Sequence, residues 1–283
     1  MIKYKTIVEV NAALDSIRKQ GKSIGFVPTM GALHQGHLAL VKEAKEDNDY
    51  VVVSIFVNPT QFNNKVDLEK YPRVIEEDIK LLESVNCDLL FYPEVEEMYP
   101  DGEPEAVEYN VNDLDKVLEG EHRPGHFNGV ITVVKRLFEI VNPTRAYFGM
   151  KDYQQLLIIN TFVKNYNLPL EIVPIPIERE EDGLAMSSRN RRLSPEERKE
   201  ATILFEVLKK AKIRSGFQTV EELKRTTEKR FKKSKFAELE YFELVDLYTL
   251  KSLQTWVQSS HVIALIAARV GDVRLIDNMI IYM

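Results

Sequence analysis

A single cysteine, Cys87, occurs in 283 residues. It excludes an intrachain disulfide framework and fits a reducing compartment. No run of about 18 apolar residues exists, so no membrane-spanning helix is expected. The first residues, Met1-Ile2-Lys3-Tyr4-Lys5, lead into a polar segment and not into the apolar core of a signal peptide. The expected location is the cytoplasm, with no membrane partner. A basic excess is missing too: 38 Lys and Arg stand against 44 Asp and Glu, a formal net charge of −6. That argues against a nucleic-acid partner, where a basic domain is usual. A zinc site needs three or four ligands at ordered spacing. One cysteine and no H-E-x-x-H string argue against it, as they do against a metal site on a lone histidine pair. There is no internal repeat and no low-complexity segment. What remains, 44% hydrophobic and 29% charged residues, is ordinary for an enzyme of one or two domains with a sizeable core.

Hydrophobic spacing divides the chain. Ile7, Val10, Ala13, Leu14 and Ile17 predict a helix over 6–20, with Gly21 placed to end it. An apolar strand at 24–27 follows, closed by Pro28. The valine-rich run 50–57 reads as a strand buried on both faces of a parallel sheet. Further strands are expected at 88–92, 145–148 and 170–177, the last interrupted by Pro174 and Pro176. Helices are expected at 38–46, 74–86, 130–141 and 155–166. This alternation implies βαβ units and a parallel sheet over 1–177. A charged connector, 178–183, changes the pattern. Ser194, Pro195 and Glu197 form a helix start, with an N-cap, a proline at N1 and a glutamate at N3. The helix is expected to reach about residue 213. A basic helix at 218–233 reads as a solvated face. Apolar runs at 239–247, 261–270 and 273–281 follow, the last two joined by a Gly271-Asp272 turn. A smaller α+β domain is thus expected over 178–283.

Residues 28–40 are the most informative stretch: Pro-Thr-Met-Gly-Ala-Leu-His-Gln-Gly-His-Leu-Ala-Leu. A strand, a glycine-containing turn and a helix N-terminus make a phosphate site, because free N–H groups and the helix dipole favour negative charge. His34 and His37 add imidazole donors there. Gly36 leaves room for a ligand to approach the backbone.

The string P-T-M-G-A-L-H-x-G-H resembles the signature of the adenylate-forming nucleotidyltransferases, and in its full form that of the pantothenate synthetase (pantoate–β-alanine ligase) family. Four more segments are similar to that family's signatures: 55–62, 120–127, 148–155 and 182–190. The last hundred residues match mainly in length and pattern. The resemblance implies a Rossmann-like parallel sheet with helices on both faces, followed by a smaller C-terminal α+β domain covering the site. It implies a homodimer, with the apolar 51–57 run a candidate for its surface. It also implies ATP-dependent condensation of pantoate with β-alanine through a pantoyl adenylate.

Roles follow from the resemblance, residue by residue. ATP falls to Thr29, Met30, Gly31, Ala32, Leu33, His34, Gln35, Gly36 and His37, then Gly149, Met150, Lys151 and Asp152, then Glu178, Met186, Ser187, Ser188 and Arg189. Among these, His37 is the implied proton donor and Lys151 a point charge for the phosphates. Ser187, Ser188 and Arg189 form a phosphate clamp, similar in role to the K-M-S-K-S loop of class I synthetases. Asp152 is assigned to the ribose, with a helix N-cap as the other reading. Glu178 replaces the small apolar residue that the family usually has there. Gln61 and Gln155 are assigned to pantoate, since an amide offers both donor and acceptor; Met30, Asn58, Phe62, Arg123 and His126 are placed with them. β-Alanine is expected near Gln61. Mg²⁺ is expected on the ATP phosphates, with Glu77 and Asp78 as candidate ligands. Rival readings are another nucleotidyl- or adenylyltransferase on the same scaffold, and a non-catalytic nucleotide sensor.

Overall fold

The computed structural model describes residues 1–62, 68–102, 104 and 107–282. The chain divides into two compact units, residues 1–150 with 154–176 and residues 151–153 with 177–283.

The first unit is built on a parallel sheet: β1 (Ile2–Tyr4), β2 (Ile24–Thr29), β3 (Tyr50–Ile55), β4 (Leu89–Phe91), β5 (Arg145–Gly149) and β6 (Glu171–Ile175). Their order is β1-β4-β3-β2-β5-β6, with every pairing parallel. The helices are α1 (Ile7–Lys19), α2 (Gln35–Asp47), α3 (Ile75–Ser84), α4 (His126–Val141) and α5 (Tyr153–Asn165). Phe26, Val27, Val51, Val52, Val53, Leu89, Leu90 and Phe91 are all inaccessible to solvent, as central strands covered on both faces must be. α1 starts on a capping box: Thr6 Oγ1 accepts from Glu9 N, and the Glu9 carboxylate accepts from Thr6 N. Such a cap contributes about 1 kcal/mol.

Two features of this unit depart from the sequence expectations. β1 is an additional strand; its three residues pair with β4 at the sheet edge and are too short to show a period. Pro28 does not close β2, which runs through it to Thr29. Ile24 O accepts from Thr144 N, and Thr29 O accepts from Phe56 N. Even-numbered residues of β2 therefore face β5 and odd-numbered ones face β3. Pairing with β5 involves only Gly25 and Phe26. The missing N–H of Pro28 thus faces β5 beyond the point where that ladder ends. Pro174 likewise lies inside β6, at the sheet edge, where proline is tolerated.

The second unit holds α6 (Pro195–Glu200), α7 (Ile203–Arg214), α8 (Val220–Phe231) and an antiparallel sheet of β7 (Ala237–Asp246), β8 (Val262–Val270) and β9 (Val273–Tyr282). Leu204, Leu208 and Leu223 pack with Leu244, Ala264 and Ile266 in its core. The helix starting at Ser194 has the expected capping box but not the expected length. It breaks at 201–202, where Thr202 Oγ1 donates to Lys199 O and Leu204 N reaches back only to Ala201 O. The hydroxyl competes for a carbonyl of the helical ladder.

Cys87 is buried, and burial pushes its thiol up to about 12. The thiolate is the reactive form. Native protein at pH 8 is therefore expected to resist an aromatic disulfide reagent over the time in which urea-unfolded protein reacts completely. Absorbance of the released thiolate measures both.

Candidate active site

The loop from β2 to α2 is folded by its own glycine and by one distant carboxylate. Gly31 and Ala32 both take left-handed backbone angles, with φ of 80° and 49°. A Cβ on Gly31 would stand 3.0 Å from both Asp78 Oδ2 and Ile55 Cγ2, so only glycine fits without strain. Asp78, on α3 and 1% exposed, accepts from Ala32 N at 2.9 Å and Leu33 N at 2.7 Å. Thr29 Oγ1 donates to Ser54 O and accepts from Gly31 N.

α2 then starts on a capping box made of imidazoles. His34 Nδ1 accepts from Gly36 N at 3.2 Å, and His37 Nδ1 accepts from His34 N at 3.3 Å. The two rings lie 4.1 Å apart between centroids. An Nδ1 that accepts a hydrogen bond carries no proton, so the proton of each neutral ring sits on Nε2. Backbone geometry thus presets both histidines as Nε2–H donors at a helix N-terminus, where anions are favoured. Gln35 is exposed between them and Gly36 is partly exposed.

β3 leads into a 3-10 turn, Pro59–Gln61, capped by Asn58. Asn58 is 1% exposed and hydrogen-bonded at both ends of its amide. Its Nδ2 donates to Gln61 Oε1 and Gly129 O, and its Oδ1 accepts from Thr60 Oγ1 and Tyr99 Oη. Gln61 Nε2 lies 3.0 Å from Met30 Sδ, which joins two residues expected to meet the same substrate. His126 is also buried; its Nδ1 lies 2.8 Å from Gln61 O and anchors the start of α4 to this turn. Phe62 packs edge-on against Tyr71, and Arg123 is a partly exposed residue just after the helical turn Glu119–His122. The C-terminal ends of β2 and β3 therefore carry 29–37 and 58–62 on one sheet edge, which Gly149 and Met150 reach from β5. Ligands bind at that edge of a parallel α/β sheet.

Adjacent glutamines on α5 have opposite fates. Gln154 is buried: Nε2 donates to Leu114 O and Val117 O, and Oε1 accepts from Glu119 N. The Gln155 side chain is partly exposed and makes no hydrogen bond among the described residues. Glu77 is exposed beside Asp78. Among the described residues no three His, Cys, Asp or Glu side chains gather as a metal site.

The remaining candidates belong to the second unit. Lys151 is 19% exposed, with Nζ 3.8 Å from the more exposed Asp152 carboxylate. Asp152 lies in a 3-10 turn ahead of α5. A short hairpin, with Arg179 bridged to Ala185, leads into Met186, whose N donates to Glu178 O. Ser187 caps the 3-10 turn Ser188–Arg192, its Oγ accepting from Arg189 N. Sequence reasoning missed the group beneath this hairpin. Asp277 holds Arg179 in a two-pronged ion pair at 2.7 and 2.9 Å, while Asn278 Nδ2 donates to Lys151 O at 2.9 Å. Burial pushes the Asp277 carboxyl up, and the Arg179 pair pulls against it. No local pattern links Arg179 to Asp277, 98 residues away.

The model of the pantoate-beta-alanine ligase family matches residues 3–280. Pantothenate synthetase of Bacteroides fragilis is 51% identical over 274 residues, 97% of this chain and 96% of that protein. That of Fervidobacterium nodosum is 52% identical over 279 residues, 98% of each. The crystal structure of pantothenate synthetase from Thermus thermophilus superposes with a TM-score of 0.93 at 45% identity, covering all of both chains. That of pantoate-beta-alanine ligase from Francisella tularensis, complexed with beta-gamma ATP and beta-alanine, gives 0.83 at 38% identity and covers 99% of this chain and 98% of that one. The chain belongs to the pantoate-beta-alanine ligase family.

Asp78→Ala is expected to strip two buried N–H groups of their acceptor and to cost about 2–5 kcal/mol. Equilibrium urea unfolding measures it. His34→Asn keeps an N-cap side chain but removes the imidazole. It is expected to hold stability within about 1 kcal/mol of the parent while activity falls.

Proposed function

We propose that the chain condenses pantoate with β-alanine using ATP, giving pantothenate, AMP and pyrophosphate through an enzyme-bound pantoyl adenylate. The observation that carries this reading is the imidazole capping box of α2, with both Nε2–H donors preset at a helix N-terminus. Family membership and the Francisella relative's complex with beta-gamma ATP and beta-alanine support the substrates.

The chemistry asks little of acid–base catalysis in its first step. The pantoate carboxylate, with a pKa of about 4, is ionised at neutral pH and attacks the α-phosphorus while pyrophosphate leaves. Bringing one anion to another is the difficulty, so positioning and electrostatic stabilisation dominate. His34 and His37 donate to phosphate oxygens through Nε2. His37 is the proton donor. Lys151 adds a point charge; Ser187, Ser188 and Arg189 hold phosphate oxygens, with Met186 and Gly149 toward the adenosine and Asp152 toward the ribose. Gln155 reads pantoate with its open amide, and Gln61, oriented by Asn58, serves pantoate and then β-alanine. In the second step the β-alanine amine, in its neutral form, attacks the adenylate carbonyl; the carbonyl–oxygen bond to AMP breaks, AMP leaves and the nitrogen releases its surplus proton to solvent. The nucleotide phosphates would hold Mg²⁺, which would neutralise part of their charge. We also assign the chain to the cytoplasm, on its cysteine usage, and to a homodimer, on the family likeness.

ATP–pyrophosphate exchange in the absence of β-alanine tests the reading. Exchange is expected only when pantoate is present. Exchange without pantoate, or only with a different carboxylic acid, would overturn the substrate assignment. In the same assay, Gln155→Ala is expected to raise the pantoate KM by about tenfold or more with little change in thermal stability, as loss of a ligand hydrogen bond does. Gln154→Ala is expected to lower the melting temperature instead, by several degrees.

A further inference from the structure

We propose that Arg179, Asp277 and Asn278 are positioning residues that hold Lys151 and the 186–189 segment in one fixed register for the nucleotide phosphates. The inference rests on the reading that Lys151 and Ser187–Arg189 act on those phosphates.

The three side chains form one largely buried network that reaches backbone oxygens of two segments. Arg179 grips Asp277 with both terminal nitrogens, then donates from Nη1 to Gly183 O and from Nη2 to Asn278 O. Asp277 Oδ1 also accepts from Asn278 N. Asn278 Nδ2 reaches across to Lys151 O. Two segments are thereby pinned to β9. One is the 3-10 turn carrying Lys151. The other is the hairpin that delivers Met186 to Arg189.

The hairpin is shaped for this contact. Gly183 has φ of 92°, and a Cβ there would meet the Phe205 ring at 2.0 Å. The Arg179 guanidinium stacks on that same ring, 4.8 Å from its centroid. Arg179 is thus fixed by a ring on one side and a carboxylate fork on the other. Lys151 also bears on Asp277 through its charge. Lys151 belongs by its contacts to the second unit, although β5, which precedes it, belongs to the first.

Stability alone does not account for such a network. The Asp277 side chain is 1% exposed and that of Arg179 19%. Replacing a buried ion pair by apolar groups is often neutral or favourable, because desolvation offsets the attraction. A planar fork with fixed geometry supplies direction that apolar packing does not. Here the direction is set on the backbone of two segments that carry cationic and hydroxyl side chains.

A double-mutant cycle separates positioning from plain stability. The readout is the affinity for α,β-methylene ATP by calorimetry, in Asn278→Ala, Lys151→Ala and the double variant, with thermal melts alongside. Asn278→Ala is expected to weaken the analogue about tenfold when Lys151 is present and less than twofold when it is not. The pantoate KM in pyrophosphate exchange is expected to stay unchanged. Equal losses in both backgrounds, or no loss in either, would overturn the proposal. Should Lys151→Ala itself leave affinity intact, the phosphate role of Lys151 fails and this proposal falls with it. That result differs from a costly Lys151→Ala with an additive Asn278→Ala, which sinks the positioning role alone. If Asn278→Ala does not fold, Asn278→Ser takes its place in the cycle with the same expectations, since its shorter side chain cannot reach Lys151 O.

Discussion

Asp78 closing on the N–H groups of Ala32 and Leu33 is the contact on which the first unit's chemistry depends. The chain leaves β2 and must reverse into α2 within a few residues. It does so through two successive left-handed residues, one of them the alanine Ala32, which takes up strain of about 1–2 kcal/mol. A charged acceptor with two oxygens offsets that strain and satisfies two donors that burial would otherwise leave bare. Only with the loop so held do His34 N and Gly36 N face the two imidazoles. The tautomers of His34 and His37 are therefore a consequence of a carboxylate some forty residues further along the chain.

Burial separates the amides of this unit. Asn58 and Gln154 each bond to several backbone or side-chain partners from inaccessible positions. Leaving such an amide unpaired would cost a few kcal/mol, so these side chains act as struts. Gln155 stands next to Gln154 on the same helix but is partly exposed, with no hydrogen bond among the described residues. A helix places neighbours about 100° apart, which is enough to bury one amide as a strut and leave the other partly exposed. Residue type alone does not distinguish them.

The alternation of strands and helices was legible because buried parallel strands and amphipathic helices have different periods. The H-x-G-H segment was legible because a strand, a glycine turn and a helix start each leave a local mark. The capping box at Ser194 was equally local. What escaped was tertiary. β1 has three residues and no period to read. Pro28 looks like a strand end until the neighbouring ladder shows that its missing donor is unneeded. Asn58 and His126, which the family signatures place with substrate, also tie the 58–62 turn to the first helical residues of 126–141, a contact no local pattern announces. Asp277 and Asn278 carry no motif; only the fold brings them to Arg179 and Lys151.

The second unit raises the question of why a small domain with an apolar core of its own should bury an ion pair at all. Its sheet and helices already pack Leu204, Leu208, Leu244, Ala264 and Ile266 together. Apolar contacts fill volume but fix orientation poorly, since many rotamers fill the same space. A guanidinium fork has one productive geometry, and a shift of an ångström breaks it. Arg179 also donates to Gly183 O and Asn278 O, and Asn278 donates to Lys151 O, so the network fixes backbone. For a reaction in which charge must be met at set points as it moves from carboxylate to phosphate, preset donors lower the barrier more than strong but mobile ones. Desolvation of Asp277 is then the counterpart, in the second unit, of the strain at Ala32 in the first: a local free-energy cost accepted where a backbone segment has to hold still.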